Sequence, residues 1–432
     1  MDEIWTFQFA RRILYGQVPY RDFFMIVSPL KAQIDSLFLK IFSDQLITLR
    51  WVGLFSSLVY GFLLYRLSIK FGLNKRNSLI PVVLFFFSYT FFPFNNYNWF
   101  SLILIALILF PLSSTQNWKN ALIVGLLSAF LVLTKQNVGI YMLIGIIFYY
   151  WITRYKFTFI SFIGFCIGLL PEILYFQTKS SLPDFLKIFY ENWIAFFNEF
   201  VLHKSLIFTL FILFVFIFFM LFVLFKEKIK KVLEIENLFL LIMINFIVLG
   251  FSFPIFDLVH LFFLLPYLFL LIFIKWKCET NVIFYLLAFL IVFKGFSCYF
   301  SIQNSSISSF QRFKMIPIDQ NLERSISLIN DFQIKQMAAG NHPYVIDYQN
   351  VLYDVAMDRL GHKYDCMLKG NFGKNGENEV ISNISKDPKA VVIFQKDYTN
   401  QKQQTKITEY VKINLVLQET IEKKYLVFSH KR

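Results

Sequence analysis

The chain has 432 residues, of which 57% are hydrophobic and 20% aromatic, with 57 Phe. Only 16% are charged, against about 25% in ordinary soluble domains, so the composition sets a soluble globular enzyme aside. The net charge of +14 would suit a nucleic-acid partner in a soluble chain. Here the bases gather between apolar runs, as they do in cytoplasmic loops of membrane proteins.

The first thirty residues, MDEIWTFQFARRILYGQVPYRDFFMIVSPL, are polar and aromatic and open on the acidic pair Asp2 and Glu3. They read as a catalytic loop with interfacial helices, residues 1–45, on the outer face of a membrane. No apolar signal segment precedes them, and the expectation is that a span lies upstream of the given start.

Ten apolar runs of membrane length follow at 46–66, 78–94, 98–113, 119–134, 138–153, 157–177, 205–225, 237–254, 258–275 and 281–300. With the amino end outside, the inner loops hold 13 basic residues, among them Arg66, Lys70, Lys75, Arg76, Lys119 and Arg154. The short outer loops hold one, Lys135. The positive-inside rule therefore puts both the amino end and the carboxyl tail outside. One outer loop is long, 177–205. Its LPDFLKIFYENWIAFFNEF core predicts an amphipathic helix in the interface, with Trp193 at headgroup level.

Beyond the transmembrane region, 46–302, the composition turns polar. Residues 303–432 carry short β-type runs at 344–348, 390–394 and 425–428, with helical patterns near 320–337, 350–360 and 405–417. This alternation predicts a small extracytoplasmic α/β domain with a partly parallel sheet. The run GNFGKNG at 370–376 is a turn signal and not a phosphate loop, since no strand directly precedes it and no GK[ST] follows. Cys166, Cys278, Cys298 and Cys366 show no paired spacing, which gives metal or redox use little support.

Several polar residues admit two readings. Asp2 and Glu3 can cap the helix through WTFQFARRIL or do chemistry. Asp22 can bind substrate or cap the next helix. Arg11 and Arg12 can meet lipid headgroups or phosphate. Lys135, at a span end, can snorkel or contact phosphate. Glu172 is interfacial or partners a cation. Asp257 and His260 lie three apart in an apolar setting and share a helix face. They either hydrogen-bond each other or face a wet cavity.

The order of motifs resembles the C-type (GT-C) membrane glycosyltransferases, and within them the protein-mannosyltransferase and aminoarabinose-transferase-like bacterial group. The matching residues are Asp2, Glu3, Ala10, Gly16, Pro19, Tyr20, Arg21, Asp22, Pro29 and Leu30, then Arg50, Asn96-Tyr97-Asn98, Lys135-Gln136, and Asp257 with His260 before Pro266. The departure is the absent first span. The resemblance implies a polytopic α-helical fold with a small outer α/β domain, in a bacterial inner membrane. It implies a sugar donor on a polyprenyl phosphate and an acceptor in the cell envelope. Asp2 would be the general base and Glu3 its support. Donor phosphate or substrate would be held by residues among Arg21, Asp22, Arg50, Lys135, Asp257 and His260. No cofactor is called for, although a divalent cation on Asp2, Asp257 and His260 suits those residue types. Two other classes stay open: a transporter or flippase of lipid-linked glycans, which predicts paired repeats, and a non-catalytic scaffold with an outer binding domain.

Overall fold

In a computed structural model the described residues are 2–91, 95–114, 117–200, 246–247, 250–251, 267, 289, 291–295, 305–346, 350–365, 367, 372, 375–396 and 405–431. The chain opens with α1 (Asp2–Leu14) and α2 (Leu30–Ile41), joined by an irregular stretch. Apolar helices follow: α3 (Leu46–Lys70), α4 (Leu79–Phe91), α5 (Tyr97–Leu112), α6 (Trp118–Thr134), α7 (Gln136–Arg154) and α8 (Lys156–Thr178). They fall on the first six predicted spans. By length and composition, α3 and α8 could each cross a membrane, while α4, α5 and α6 are apolar but shorter. The four later predicted spans lie outside the described residues but for a few positions. The amphipathic stretch is α9 (Leu182–Phe200); the side chain of Trp193 is outside the described set.

Local chemistry sets the helix ends. Asn96 and Asn117 are extended N-caps whose side chains accept from the backbone N–H of Trp99 and Asn120. The interior is built by close backbone approach. A Cβ on Gly125 of α6 would fall 1.9 Å from the Ser161 carbonyl oxygen of α8, and one on Gly164 of α8 would fall 2.2 Å from that of Leu122. Small residues let apolar helices meet where lipid gives no hydrophobic drive between them.

The carboxy-terminal α/β region comprises β1 (Ser305–Ile307), β2 (Pro317–Asp319), α10 (Gln320–Ala338), β3 (His342–Val345), α11 (Asn350–Ala356), α12 (Gly376–Lys386), β4 (Ala390–Gln395), α13 (Lys406–Asn414), β5 (Val416–Ile421) and β6 (Tyr425–Ser429). The larger sheet has the order β3-β4-β6-β5, with β3 parallel to β4 and the other pairs antiparallel. Central β4 is buried along almost its whole length, matching its unbroken AVVIF run. Two helical expectations are corrected. The helix expected over 405–417 stops at Asn414, because Leu415 turns extended and 416–421 pairs with β6. The helix expected over 350–360 stops at Ala356. There the N–H of Arg359 bonds the Asp354 carbonyl and that of Asp358 bonds Val355, with Asp358 at φ 58°. This is a left-handed C-cap of the Schellman kind.

The amino-terminal segment belongs to the same core as this region. Phe7 and Ala10 of α1 are fully buried with Ile326, Ile329, Val351 and Val355. Phe24, in the loop after α1, packs with Ile346 and Tyr364 in an adjoining cluster.

Candidate active site

Glu3 projects from the first turn of α1 and grips Arg50 near the start of α3. Its two oxygens accept from Arg50 Nε at 2.8 Å and Nη2 at 3.0 Å. This is the bidentate geometry that a planar guanidinium favours. The Arg50 side chain is 37% exposed, and among the described residues its Nη1 has no hydrogen-bond partner. The structure thus brings two predicted site residues together. Asp2 opens α1 on the residue before Glu3; its side chain lies outside the described set.

One helical turn along α3, Gly53 touches Asn95, whose backbone nitrogen would lie 3.0 Å from an added Cβ. Asn95 donates to Asp35 at 2.9 Å, and Asp35 pairs with Lys31 one turn earlier on α2. Both members of the pair are buried, and Lys31 stands 5.9 Å from the Phe100 ring centroid. Burial pushes the Asp35 carboxyl above its ordinary range and the Lys31 ammonium below its own; the contact between them opposes both shifts. Sequence reading missed this pair. Its signal was present: opposite charges four residues apart in PLKAQIDSL, on a helix otherwise apolar on that face.

The same asparagine-rich turn reaches a second cation. Lys135, the extended residue between α6 and α7, donates to Asn98 Oδ1 at 2.7 Å and lies 5.7 Å from the Tyr97 ring centroid and 4.7 Å from that of Phe251. It is buried, so it does not snorkel. The matched motifs Asn96-Tyr97-Asn98 and Lys135 therefore meet in space.

Arg21 and Asp22 pair with each other through two bonds of 2.8 and 2.9 Å, and Arg21 Nη1 also donates to the Lys179 carbonyl. Arg21 holds the Asp22 carboxyl below its usual range. Asp22 does not cap the following helix. It accepts from the Val18 N–H at 2.7 Å and closes its own turn, while Pro29 stands at the N-cap of α2. Glu172, read as interfacial or as a cation's partner, accepts from the amide of Gln33 Nε2 at 2.8 Å.

Arg11 and Arg12 correct the sequence reading most. Each is 1% exposed, so neither meets lipid headgroups. Arg12 makes two bonds of 2.7 Å to Asp365, and Arg11 reaches Asp358 at 2.5 Å and lies 3.3 Å from Asp44. Among the described residues no group of three His, Cys, Asp or Glu side chains could hold a metal ion. Asp257 and His260 lie outside the described residues, and so do Cys278, Cys298 and Cys366.

No family model matches this sequence, and no curated protein matches it. Among solved structures the chain is similar to the crystal structure of ArnT from Cupriavidus metallidurans bound to undecaprenyl phosphate. The identity is 11% and the TM-score 0.49, over 99% of this chain and 93% of that one. At this distance the likeness concerns the course of the backbone and says nothing of side chains.

Proposed function

We propose that this chain is an integral membrane glycosyltransferase. It moves a sugar from a polyprenyl-phosphate donor to an acceptor on the outer face of a bacterial cell membrane. The observation that supports the reading best is the Glu3–Arg50 clamp. It ties the acidic start of α1 to the head of an apolar helix and, among the described residues, leaves one guanidinium nitrogen with two N–H groups for an anion.

In this reading Asp2 takes the proton from an acceptor hydroxyl. The acceptor oxygen bonds to the anomeric carbon as the bond from that carbon to the phosphate oxygen breaks. The lipid phosphate leaves with the electron pair, and cations fixed beforehand stabilise the departing anion. Arg50 is oriented for that task by Glu3, and Lys135 by Asn98. Asp257, His260, Arg21 and Asp22 complete the proposed substrate contacts. The interfacial helix α9 would form the lipid-side wall, and the α/β region would meet the acceptor.

Turnover of a radiolabelled polyprenyl-phosphate sugar in membranes, wild type against Asp2→Asn, tests the proposal. The expected loss is about 10²- to 10⁴-fold. Equal turnover would remove Asp2 from the chemistry. Label that crosses the bilayer without changing its covalent partner would point to a flippase instead.

A further inference from the structure

One segment of the carboxy-terminal region, residues 354–365, turns two carboxylates and three backbone carbonyls toward the amino-terminal helix and loop, while the side chains of Arg359, Lys363 and Tyr364 bond within the region. The Schellman end of α11 turns the Arg359 carbonyl outward, where it accepts from Gln8 at 3.0 Å and Arg11 at 3.3 Å. Asp358, carried by the same turn, is shared between Arg11 at 2.5 Å and Arg312 at 2.6 and 2.9 Å. Gly361, at φ 71°, brings the chain back against Asp354, where a Cβ would fall 2.3 Å from the carboxylate. Beyond it the His362 carbonyl and the Asp365 carboxylate both accept from Arg12. The Lys363 carbonyl accepts the Phe24 N–H at 2.8 Å.

Arg11 and Arg12 occupy the last turn of α1, and Asp2 and Glu3 the first. At about 1.5 Å per residue the two ends are roughly 14 Å apart on one short rod. Whatever fixes the arginines in rotation and height also fixes the acidic end.

We propose that residues 354–365 are a latch that sets the register of α1, with Arg12 and Asp365 as its positioning residues. The inference rests on the reading of the α1 amino end as the reacting end. Neither Arg12 nor Asp365 touches substrate. They act through the rod, by keeping Glu3 on Arg50 and Asp2 beside it. A guanidinium bound on three sides by fixed acceptors has one orientation, whereas a lysine in its place would supply charge without direction.

The full-length protein in detergent or liposomes decides the matter through two readouts. Hydrogen exchange of the α1 amides reports the latch alone. Asp365→Asn is expected to speed that exchange at least tenfold while α10 stays protected. Sugar transfer reports its consequence: kcat falls about tenfold with the donor KM little changed, Asp365→Glu recovers part of the loss, and Arg12→Lys does not. Should Asp365→Asn fail to fold, Asp358→Asn alters a 45% exposed carboxylate and is expected to give the same pattern, smaller in size. Unchanged α1 exchange in the variant that folds overturns the latch. Absence of sugar transfer in the wild type with faster α1 exchange in the variant overturns the functional reading and leaves the latch standing.

Discussion

Among the described residues Arg50 owes its orientation to a single carboxylate, and that makes Glu3 the most informative side chain to change. Glu3→Gln keeps the shape and removes the charge, so Arg50 loses its bidentate partner. Turnover is expected to drop about tenfold or more, with Asp2 intact, in the same labelled-sugar assay. Turnover equal to wild type would mean that Arg50 needs no orienting. The Lys31–Asp35 pair predicts a different asymmetry. Asp35→Ala strands a buried ammonium and should cost about 3–5 kcal/mol, whereas the double change Lys31→Met, Asp35→Leu should be nearly neutral. Thermal unfolding in detergent compares them. Asp354 gives a pH signature. Burial pushes its carboxyl up to about 6, against the pull of Arg12 and Arg359. The native state therefore holds a proton that the unfolded chain, titrating near 3.9, has released. Stability falls as pH rises from about 4 to about 6 and is level above. Asp354→Asn should remove its share of that slope and add up to about 3 kcal/mol at pH 7, since about two pKa units separate the states; Asp365, which burial also pushes up to about 6, keeps its own share. Unfolding midpoints from pH 4 to 8 measure both.

Among the elements, what sequence reveals depends on how far away the partner is. The apolar runs at 46–66 and 157–177 declare themselves because each stays apolar over most of a helix's length, and α3 and α8 stand there. The caps of α5 and α6 are equally local. Arg11 and Arg12 were misread because Asp358 and Asp365, the carboxylates that hold them most closely, lie some 350 positions on, in a segment that carries no motif. Two bases ending an amphipathic helix look the same whether they meet a headgroup or Asp365. Strand β5 was hidden because its residues are mostly exposed, so no buried face gives it an alternating pattern. Lys135 and Asn98 could be named from the motif order, but their contact depends on the α5–α6 pairing and could not. The α6–α8 contact is a prediction at this scale. Gly125→Leu puts a side chain where the Ser161 carbonyl lies, so the helices must part. The variant is expected to lose several degrees of thermal stability, against little change for Gly295→Leu, where a Cβ meets nothing within 4 Å among the described residues.

Across the whole molecule, the amino-terminal helix sits in the core of the carboxy-terminal region although nearly the full chain separates them in sequence. In the proposed arrangement both lie on one side of the membrane, the outer side on the positive-inside reading of the basic loops. Reporters fused at either end should both read outside, and a cytosolic reading at either would break the proposed arrangement. The central claim is chemical, and one measurement meets it directly. Purified protein in liposomes receives a polyprenyl-phosphate sugar and an extract of cell-envelope acceptors, and the polyprenyl phosphate released is counted against the sugar transferred. The account predicts equal amounts of the two, both lost in Asp2→Asn; sugar that stays on its lipid throughout would contradict it.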